Sequence, residues 1–208
     1  FLNFLNENSK NSEVLDYGCG DGYYAEKVLN FYPKKMTGID ISEVAISDAK
    51  KRAIDKNLNI NYSVDNCEKT KFEDNSFDIV YGTGILHHLQ INKCIDEINR
   101  ILKSNGKLVF IEPLGTNPLI NLYRKLTPNS RSVDEHPLLE NDFKYISSKF
   151  NEVKIKYYGF LTLIFFLFYK SPENSRIFKK LVSFDKFLFK FRIFQYFAWS
   201  VLITAKKN

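Results

Sequence analysis

Three glycines alternate with other residues at Gly18, Gly20 and Gly22, directly after a short apolar segment that ends at Tyr17. Glycine allows the backbone to approach a ligand closely, and the unpaired amides at the start of a helix can hold a polar group. Asp16 precedes this turn and adds a carboxylate to it. The turn therefore predicts a ligand site, although its spacing alone also fits a tight strand–helix turn that binds nothing.

Further polar residues stand at the ends of later predicted strands. Asp40 follows the turn by about 20 residues, where a carboxylate can accept hydrogen bonds from both hydroxyls of a ribose. Asp65, Asn66 and Cys67 end the next strand and can meet an adenine edge through a side-chain acceptor and backbone amides. Gly82 follows the fourth strand. Each acidic residue alone could be a surface turn residue, but together they predict a nucleotide site at the carboxyl ends of parallel strands.

Four residues are candidates for a general base at that edge of the sheet: His87, His88, Glu112 and His136. The two adjacent histidines begin the segment after the fourth predicted strand, and Glu112 ends the fifth. His136 lies in a dense polar cluster that starts at Arg131, within a long connection. In the alternative, structural interpretation, one adjacent imidazole packs, the other caps a helix, and the polar cluster is a solvated turn.

The spacing of apolar residues places these groups on strands that alternate with helices. We predict strands at 13–17, 35–40, 58–64, 77–81, 107–111, 153–158 and 199–205. We predict helices at 21–31, from a Ser42 cap to Ile54, from Ile91 to a stop at Asn105-Gly106, and at 138–150. This order predicts an α/β fold, doubly wound, with a mostly parallel sheet of about seven strands and helices on both faces.

A chain of 208 residues suits one domain, so we expect residues 1–208 to fold as a unit. Within it, 1–113 would form a cofactor-binding half and 114–137 an insertion on the acceptor side. The remaining part, 138–208, would contain a basic, Phe-rich helical segment at 160–195 and the last strand.

Several stretches resemble, in order, the successive motifs of the class I methyltransferases, especially the ubiquinone-type and related small-molecule enzymes. They are VLDYGCGDG, GIDIS, SVDNCEKTKFEDNSFDIVYGTGILHHL and EINRILKSNGKLVFIEP, and they cover about Val14 to Pro113. The end of the chain, FDKFLFKFRIFQYFAWSVLITAKK, is similar to the closing segment of members from bacterial surface-glycan and lipid pathways.

The resemblance implies a Rossmann-like fold, S-adenosylmethionine as methyl donor and S-adenosylhomocysteine as product. Its cofactor-binding residues would be Asp16, Gly18, Cys19 and Gly20 at the methionine part, Asp40 and Ile41 at the ribose, Asp65, Asn66 and Cys67 at the adenine, and Gly82 with a carbonyl for the methionine amine. The acceptor would be a small molecule, one linked to a lipid or a sugar being a candidate. Members usually carry a helical segment before the first strand. Only 13 residues precede Val14 here, so we expect an incomplete substrate lid.

Two other functions remain open. An NAD-dependent dehydrogenase also uses a glycine turn and a later acidic residue, but this turn lacks the G-x-G-x-x-G spacing. Asp16 and Asp65 would also have no obvious task in a dinucleotide site. A non-catalytic module that keeps the fold, and with it the cofactor, is the second alternative.

The C-terminal part differs in composition from the rest. From Phe150 onward the chain has 11 Lys and Arg against 3 Asp and Glu, and 12 of its 19 phenylalanines. The spacing of Ile177, Leu181, Phe184, Leu188 and Phe191 favours an amphipathic helix that covers the sheet or the acceptor pocket. A helix lying on an anionic membrane is the second interpretation. Nucleic acid is not expected, because the cations are interleaved with large apolar residues.

Three cysteines, at Cys19, Cys67 and Cys94, lack paired metal-ligand spacing and favour a reduced, cytoplasmic protein without a metal site. The start of the chain shows no secretory signal. The longest apolar run, at 160–168, is about half of the roughly 20 residues that cross a bilayer, so a buried strand or core helix is expected there.

Overall fold

A computed structural model describes residues 1–127, 135–166 and 175–208. These residues form seven strands, β1 (Glu13–Tyr17), β2 (Lys35–Asp40), β3 (Asn61–Val64), β4 (Phe77–Thr83), β5 (Leu102–Pro113), β6 (Asn151–Tyr158) and β7 (Ser200–Lys206). They also form the helices α1 (Leu2–Asn8), α2 (Tyr23–Leu29), α3 (Glu43–Asp55), α4 (Ile91–Ile101), α5 (Pro118–Leu126), α6 (Glu140–Lys149), α7 (Leu161–Phe166), α8 (Arg176–Leu188) and α9 (Arg192–Gln195). A single 3-10 turn, Leu86–His88, lies between β4 and α4.

The strands form one sheet in the order β3-β2-β1-β4-β5-β7-β6. The pairs among β1 to β5 are parallel, whereas β7 runs antiparallel to both β5 and β6. The predicted mostly parallel, doubly wound sheet of about seven strands is thus confirmed. Because the chain order reverses between β1 and β4, the carboxyl ends of these two strands border the crevice where such sheets bind ligands.

Both faces of the sheet are covered, which explains why β1 is almost continuously apolar. Val14 packs with Val28 and Met36 in a core on the side of α2 and α3. Its neighbour Leu15 points to the opposite face and packs with Ile95 in a core on the side of α4. The central strands are therefore held from both sides, and their carboxyl ends are a rigid base for a site.

Some predicted elements have different limits in the structure. Ser42 caps α3 as predicted, its hydroxyl accepting a hydrogen bond from the Ala45 amide at 3.2 Å. Ile54, the last residue of the predicted helix, lies within α3, and its side chain is 78% exposed. The third strand begins at Asn61 and not at 58.

For the helix that begins at Ile91, the predicted stop at Asn105-Gly106 was also wrong. Helix α4 ends at Ile101, because Leu102 already pairs with Phe77 in the sheet. Asn105, with a φ of 64°, then lies in an irregular first part of β5.

The connection at 114–137, for which we predicted no regular structure, contains α5, and the start of the chain contains the unpredicted α1. Residues 128–134, including Asp134 of the polar cluster, lie outside the described residues, as do residues 167–174 of the basic, Phe-rich segment. The described part of the apolar run at 160–168 is helical. Among the helices that the structure describes, none is long and apolar enough to cross a membrane.

Helix α8 packs on β6 and α7, but with a different face from the one that its apolar spacing predicts. Asp185 is buried on this helix, and Phe189 follows it into the core. Ile177 and Phe184, which we expected to pack, are 59% and 50% exposed. The interpretation of this helix as a cover for the sheet is therefore only partly right.

Candidate functional site

The glycine turn is held against the end of β2 by backbone hydrogen bonds. The amides of Gly18 and Cys19 both donate to the carbonyl of Ile39, at 2.9 and 2.8 Å. Gly18, Gly20 and Gly22 all have positive φ, a conformation that favours glycine. A Cβ on Gly18 would collide with the side chain of Ile85, whereas a Cβ on Gly20 would meet no atom within 4 Å. The backbone at Gly20 is thus open on the side of the crevice.

Asp40 lies directly beside the turn. One carboxylate oxygen accepts a hydrogen bond from the Gly20 amide at 3.0 Å, and the other accepts from the Ser42 amide at 2.9 Å. Each oxygen keeps a further lone pair, because a carboxylate oxygen can accept two hydrogen bonds. The neighbouring Ile41 side chain is 72% exposed and offers an apolar surface at the same place.

The third predicted segment forms a compact loop after β3. The Asp65 amide donates to the Asp40 carbonyl at 3.0 Å, which joins the ends of β2 and β3. Both carboxylate oxygens of Asp65 accept from amides of its own loop, those of Asn66 and Lys71. The hydroxyl of Tyr17 donates to the carbonyl of Cys67. Asp65 therefore fixes the shape of this loop.

A second carboxylate, which sequence reasoning missed, fixes the far end of this loop. Glu97 of α4 is buried and accepts hydrogen bonds from the amide and the hydroxyl of Thr70, at 2.8 and 2.5 Å. Arg100 pairs with the same carboxylate. Glu97 sits on an otherwise apolar helix face, and that position is the one sequence signal that could have indicated an inward role.

Asp16 is buried beneath the turn and is 3% exposed. It lies opposite Tyr81 in the register of β1 and β4, and the Tyr81 hydroxyl donates to its carboxylate at 2.8 Å. Burial raises the pKa of Asp16 to about 7, the hydrogen bond from Tyr81 opposes this rise, and the negative charge of Asp40 adds to it. Among the described residues, no cation pairs with Asp16, so a positively charged ligand group would stabilise its charged form.

Ile85 connects the glycine turn to the candidate bases. Its side chain is the group that a Cβ on Gly18 would strike, and a Cβ on Gly82 would also contact it at 2.8 Å. Gly18 and Gly82 must both lack a side chain for the ends of β1 and β4 to pack around Ile85. His87 follows two residues later, so this packing places the imidazole beside the crevice.

Glu112 and His87 form a buried pair. The fully buried Glu112 carboxylate accepts hydrogen bonds from the amides of Ile85 and Leu86 at 3.0 and 2.9 Å, and lies 2.8 Å from Nδ1 of His87. Because Glu112 accepts at Nδ1, the hydrogen of a neutral His87 belongs there and Nε2 keeps its lone pair. Glu112 thereby fixes the 3-10 turn and the orientation of the imidazole, and is itself enclosed.

The other two candidates lie next to this pair. The ring of His88 packs on that of His87, with centroids 4.0 Å apart. The backbone amide of His136 donates to the His87 carbonyl at 2.8 Å, while the His136 side chain is exposed. The structure therefore brings His87, His88, Glu112 and the backbone of His136 together.

The three cysteine thiols are buried. Burial raises the pKa of Cys19, Cys67 and Cys94, which disfavours the nucleophilic thiolate form. Within the described ranges, no group of three or more His, Cys, Asp and Glu side chains comes together that could hold a metal ion.

Comparison with known proteins agrees with this arrangement. Residues 15–110 match the family model described as "Methyltransferase domain". The chain is 39% identical over 110 residues to the ubiquinone/menaquinone biosynthesis C-methyltransferase UbiE of Rickettsia prowazekii. The aligned region makes up 49% of this chain and 44% of the relative. The chain thus spans about half of the length of the curated relatives that it matches.

Solved structures share the fold at lower sequence identity. A putative methyltransferase from Bacillus halodurans has a TM-score of 0.67 with 19% identity, covering 100% of this chain and 97% of its own. The Haemonchus contortus Phospholethanolamine N-methyltransferase 2, in complex with phosphomonomethylethanolamine and S-adenosylhomocysteine, has a TM-score of 0.69 with 20% identity, covering 96% and 50%. The domain match confirms the resemblance to the class I S-adenosylmethionine-dependent methyltransferases over residues 15–110, and the solved structures show the same fold.

Proposed function

We propose that the protein transfers a methyl group from S-adenosylmethionine to a small-molecule acceptor. The observation that carries this proposal is the position of Asp40 at the end of β2, hydrogen-bonded to the open glycine turn. There, its two oxygens are set to accept from the two hydroxyls of a ribose, while the turn and Asp16 lie on the methionine side.

The residues around the crevice fit the chemistry of this donor. S-adenosylmethionine supplies a methyl group that is already activated on a sulfonium. Its amine is cationic, which suits the buried Asp16 and the carbonyl of Gly82, and the unhindered backbone at Gly20 leaves room for the methionine part. The loop after β3, fixed at both ends by Asp65 and Glu97, offers its backbone to the adenine.

The protein's own catalytic task is then mostly alignment, together with removal of a proton where the acceptor must lose one. We assign the proton transfer to His87, since Glu112 holds its Nδ1 and leaves Nε2 as the acceptor. Glu112 acts through His87 and is a positioning residue. His88 and His136 border the same place and would contact the acceptor.

For the acceptor we propose a lipid- or sugar-linked small molecule. A cavity of about 250 Å³ lies between α7, α8 and the start of β7, close to the end of β5. Its lining is mostly apolar and includes Tyr158, Leu163, Val182 and Trp199, which suits an apolar tail. A lipid-linked acceptor would be embedded in a membrane. The proposal therefore includes contact between the C-terminal basic segment and the membrane surface. The Rickettsia relative is named a C-methyltransferase, so carbon is one of the acceptor atoms to test.

Calorimetric titration of the full chain with S-adenosylhomocysteine tests the donor part of the proposal. Asp40→Asn removes the charge that accepts the ribose hydroxyls and should weaken binding at least tenfold, since hydrogen bonds to charged groups contribute about 1.5–3 kcal/mol. Asp55→Asn, on the exposed end of α3, is the matched control and should bind as the wild type does.

Three outcomes would contradict the proposal. Tight binding of NADH without binding of S-adenosylhomocysteine would make the protein a dehydrogenase. Equal affinity of the wild type and Asp40→Asn for S-adenosylhomocysteine would remove Asp40 from the site. Binding of the donor without turnover on any acceptor would leave the non-catalytic module.

A further inference from the structure

Helix α5 exposes its whole apolar stripe. Leu119, Leu122, Tyr123 and Leu126 are between 56% and 72% exposed, and no residue of the helix is buried. At 3.6 residues per turn these side chains fall within an arc of about 100°. Single exposed apolar residues are ordinary, but a continuous stripe on an amphipathic helix marks a contact surface.

A second exposed apolar strip runs along α8 and α9. Phe184, Phe187 and Phe191 are 50–51% exposed and contact one another in sequence, with ring centroids 6.3 and 5.7 Å apart. Ile177 of α8 and Ile193 of α9 are also exposed, at 59% and 68%. Five large apolar side chains of this segment are thus exposed, and the three phenylalanines among them are in contact.

The charged residues of α8 and α9 are mostly cations. Between Ser175 and Ala205 the sequence contains six cations and a single acidic residue, Asp185. The cations are Arg176, Lys179, Lys180, Lys186, Lys190 and Arg192. Arg192 forms an ion pair with Glu140 of α6 at 2.7 Å, so the excess of positive charge comes from the other five. Asp185 is 4% exposed, and its carboxylate accepts hydrogen bonds from the Leu161 amide and from Thr162, so its charge is turned inward. Residues 113–127 contain no acidic residue either.

The two strips lie at the same edge of the sheet as the candidate base. Hydrogen bonds from Thr116 and Asn117 to the carbonyls of Tyr196 and Phe197 join the start of α5 to the end of α9. These segments lead out of β5 and into β7, where Pro113 pairs with Ser200. Glu112 is the residue before Pro113, so the segments that carry the two strips begin next to the candidate site.

We propose that the exposed apolar strips of α5, α8 and α9, together with their cations, form a docking face for an anionic lipid bilayer. The aromatic and aliphatic side chains would enter the interface between headgroups and acyl chains, and the lysines would meet anionic headgroups. The role of this docking face rests on the proposed function, because the face would bring the candidate acceptor site to the membrane.

The composition of the face argues against two other occupants. In a symmetric dimer formed through this face, the cations of one copy would approach those of the other, which is unfavourable. A nucleic acid would neutralise the lysines but would leave Ile177, Ile193 and Leu126 without a partner of their kind. In a bilayer with anionic headgroups, the headgroups can pair with the cations and the acyl chains can contact the apolar side chains.

Co-sedimentation of the full chain with vesicles tests the proposal. Vesicles of phosphatidylcholine alone and vesicles that also contain phosphatidylglycerol are compared at low and at high salt. We expect binding to the anionic vesicles, weakened by salt, and little binding to the neutral ones.

Two pairs of substitutions separate the apolar and the charged contributions. Phe187→Ser with Phe191→Ser, and Lys186→Glu with Lys190→Glu, should each lower the partition into anionic vesicles at least tenfold. Matched controls lie on α3: Ile54→Ser at an exposed apolar position, and Lys50→Glu with Lys51→Glu at exposed cations. The controls should bind vesicles as the wild type does, and circular dichroism checks that every variant is folded.

Several results would overturn the proposal. They are absence of wild-type binding to anionic vesicles at low salt, equal loss of binding in the α3 controls, self-association through the same residues, and tighter binding to nucleic acid than to vesicles. Calorimetry with S-adenosylhomocysteine is run on the same variants and should show unchanged affinity. Loss of donor binding with intact vesicle binding would count against the methyl-transfer proposal alone.

Discussion

Replacement of Asp16 by asparagine should have opposite effects on stability and on donor binding. Asp16 is buried among apolar residues, and its pKa rises from an ordinary 3.8 to about 7. At about 1.4 kcal/mol per pKa unit, keeping this carboxylate ionised lowers the free energy of unfolding by on the order of 4 kcal/mol. Asparagine has nearly the same shape and no charge, and can still accept the hydrogen bond from Tyr81.

The sign of the pH dependence follows from the direction of the shift. Because the folded-state pKa lies above the unfolded-state value, Asp16 does not penalise folding below about pH 4. The penalty grows between about pH 4 and pH 7 and is complete above pH 7. In urea unfolding of the ligand-free protein, Asp16→Asn should match the wild type at the acid end and exceed it by up to about 4 kcal/mol at pH 8.

Donor binding should change in the other direction. The cationic amine of the donor would compensate the buried charge, so Asp16→Asn should bind S-adenosylhomocysteine about tenfold more weakly at pH 8, as for the loss of one charged hydrogen bond. Asp55→Asn is again the exposed control. Equal stability of Asp16→Asn and wild type at every pH would refute the assignment of a costly buried charge. Unchanged donor affinity would refute its link to the ligand.

Substitutions at four further residues test the rest of the site. His87→Ala should lower turnover by roughly 10²-fold without changing the affinity for the donor. Glu112→Gln should shift the pH profile of turnover. If Glu112 had only a structural role, the substitution would change stability alone. Gly18→Ala should destabilise the fold by more than about 2 kcal/mol in urea unfolding, because the methyl group meets Ile85 at a positive φ; an added Ile85→Ala should recover only the steric part. Glu97→Gln should weaken S-adenosylhomocysteine binding several-fold in calorimetry through the loop after β3, and unchanged affinity would show that the loop holds its shape without that charge.

Features that depend on neighbouring residues could be predicted from the sequence. The strands β1 and β2 are short apolar runs between turn residues, and the Ser42 cap is a local signal, so the predicted strand limits and the cap are confirmed. Because parallel strands end at a common edge, the order of motifs was sufficient to bring Gly18 and Asp40 together. For the same reason the structure places both of them at the predicted edge.

Features that depend on long-range contacts could not be predicted. Tyr81 is 65 residues from Asp16, and their hydrogen bond follows from the register of β1 with β4. On α8, apolar spacing suggested that Phe184 packs inward. Asp185 takes the inward position because its carboxylate satisfies the backbone amides at the start of α7, a need that the sequence of α8 does not show.

Transfer of labelled methyl from S-adenosylmethionine to fractions of a cell extract, divided into lipid and water-soluble small molecules, tests the central claim most directly. We expect a labelled product in at least one fraction with the wild type, and a loss of roughly 10²-fold with His87→Ala where the acceptor gives up a proton. Donor binding by the wild type with no label in any fraction would contradict the claim that this protein is an active methyltransferase.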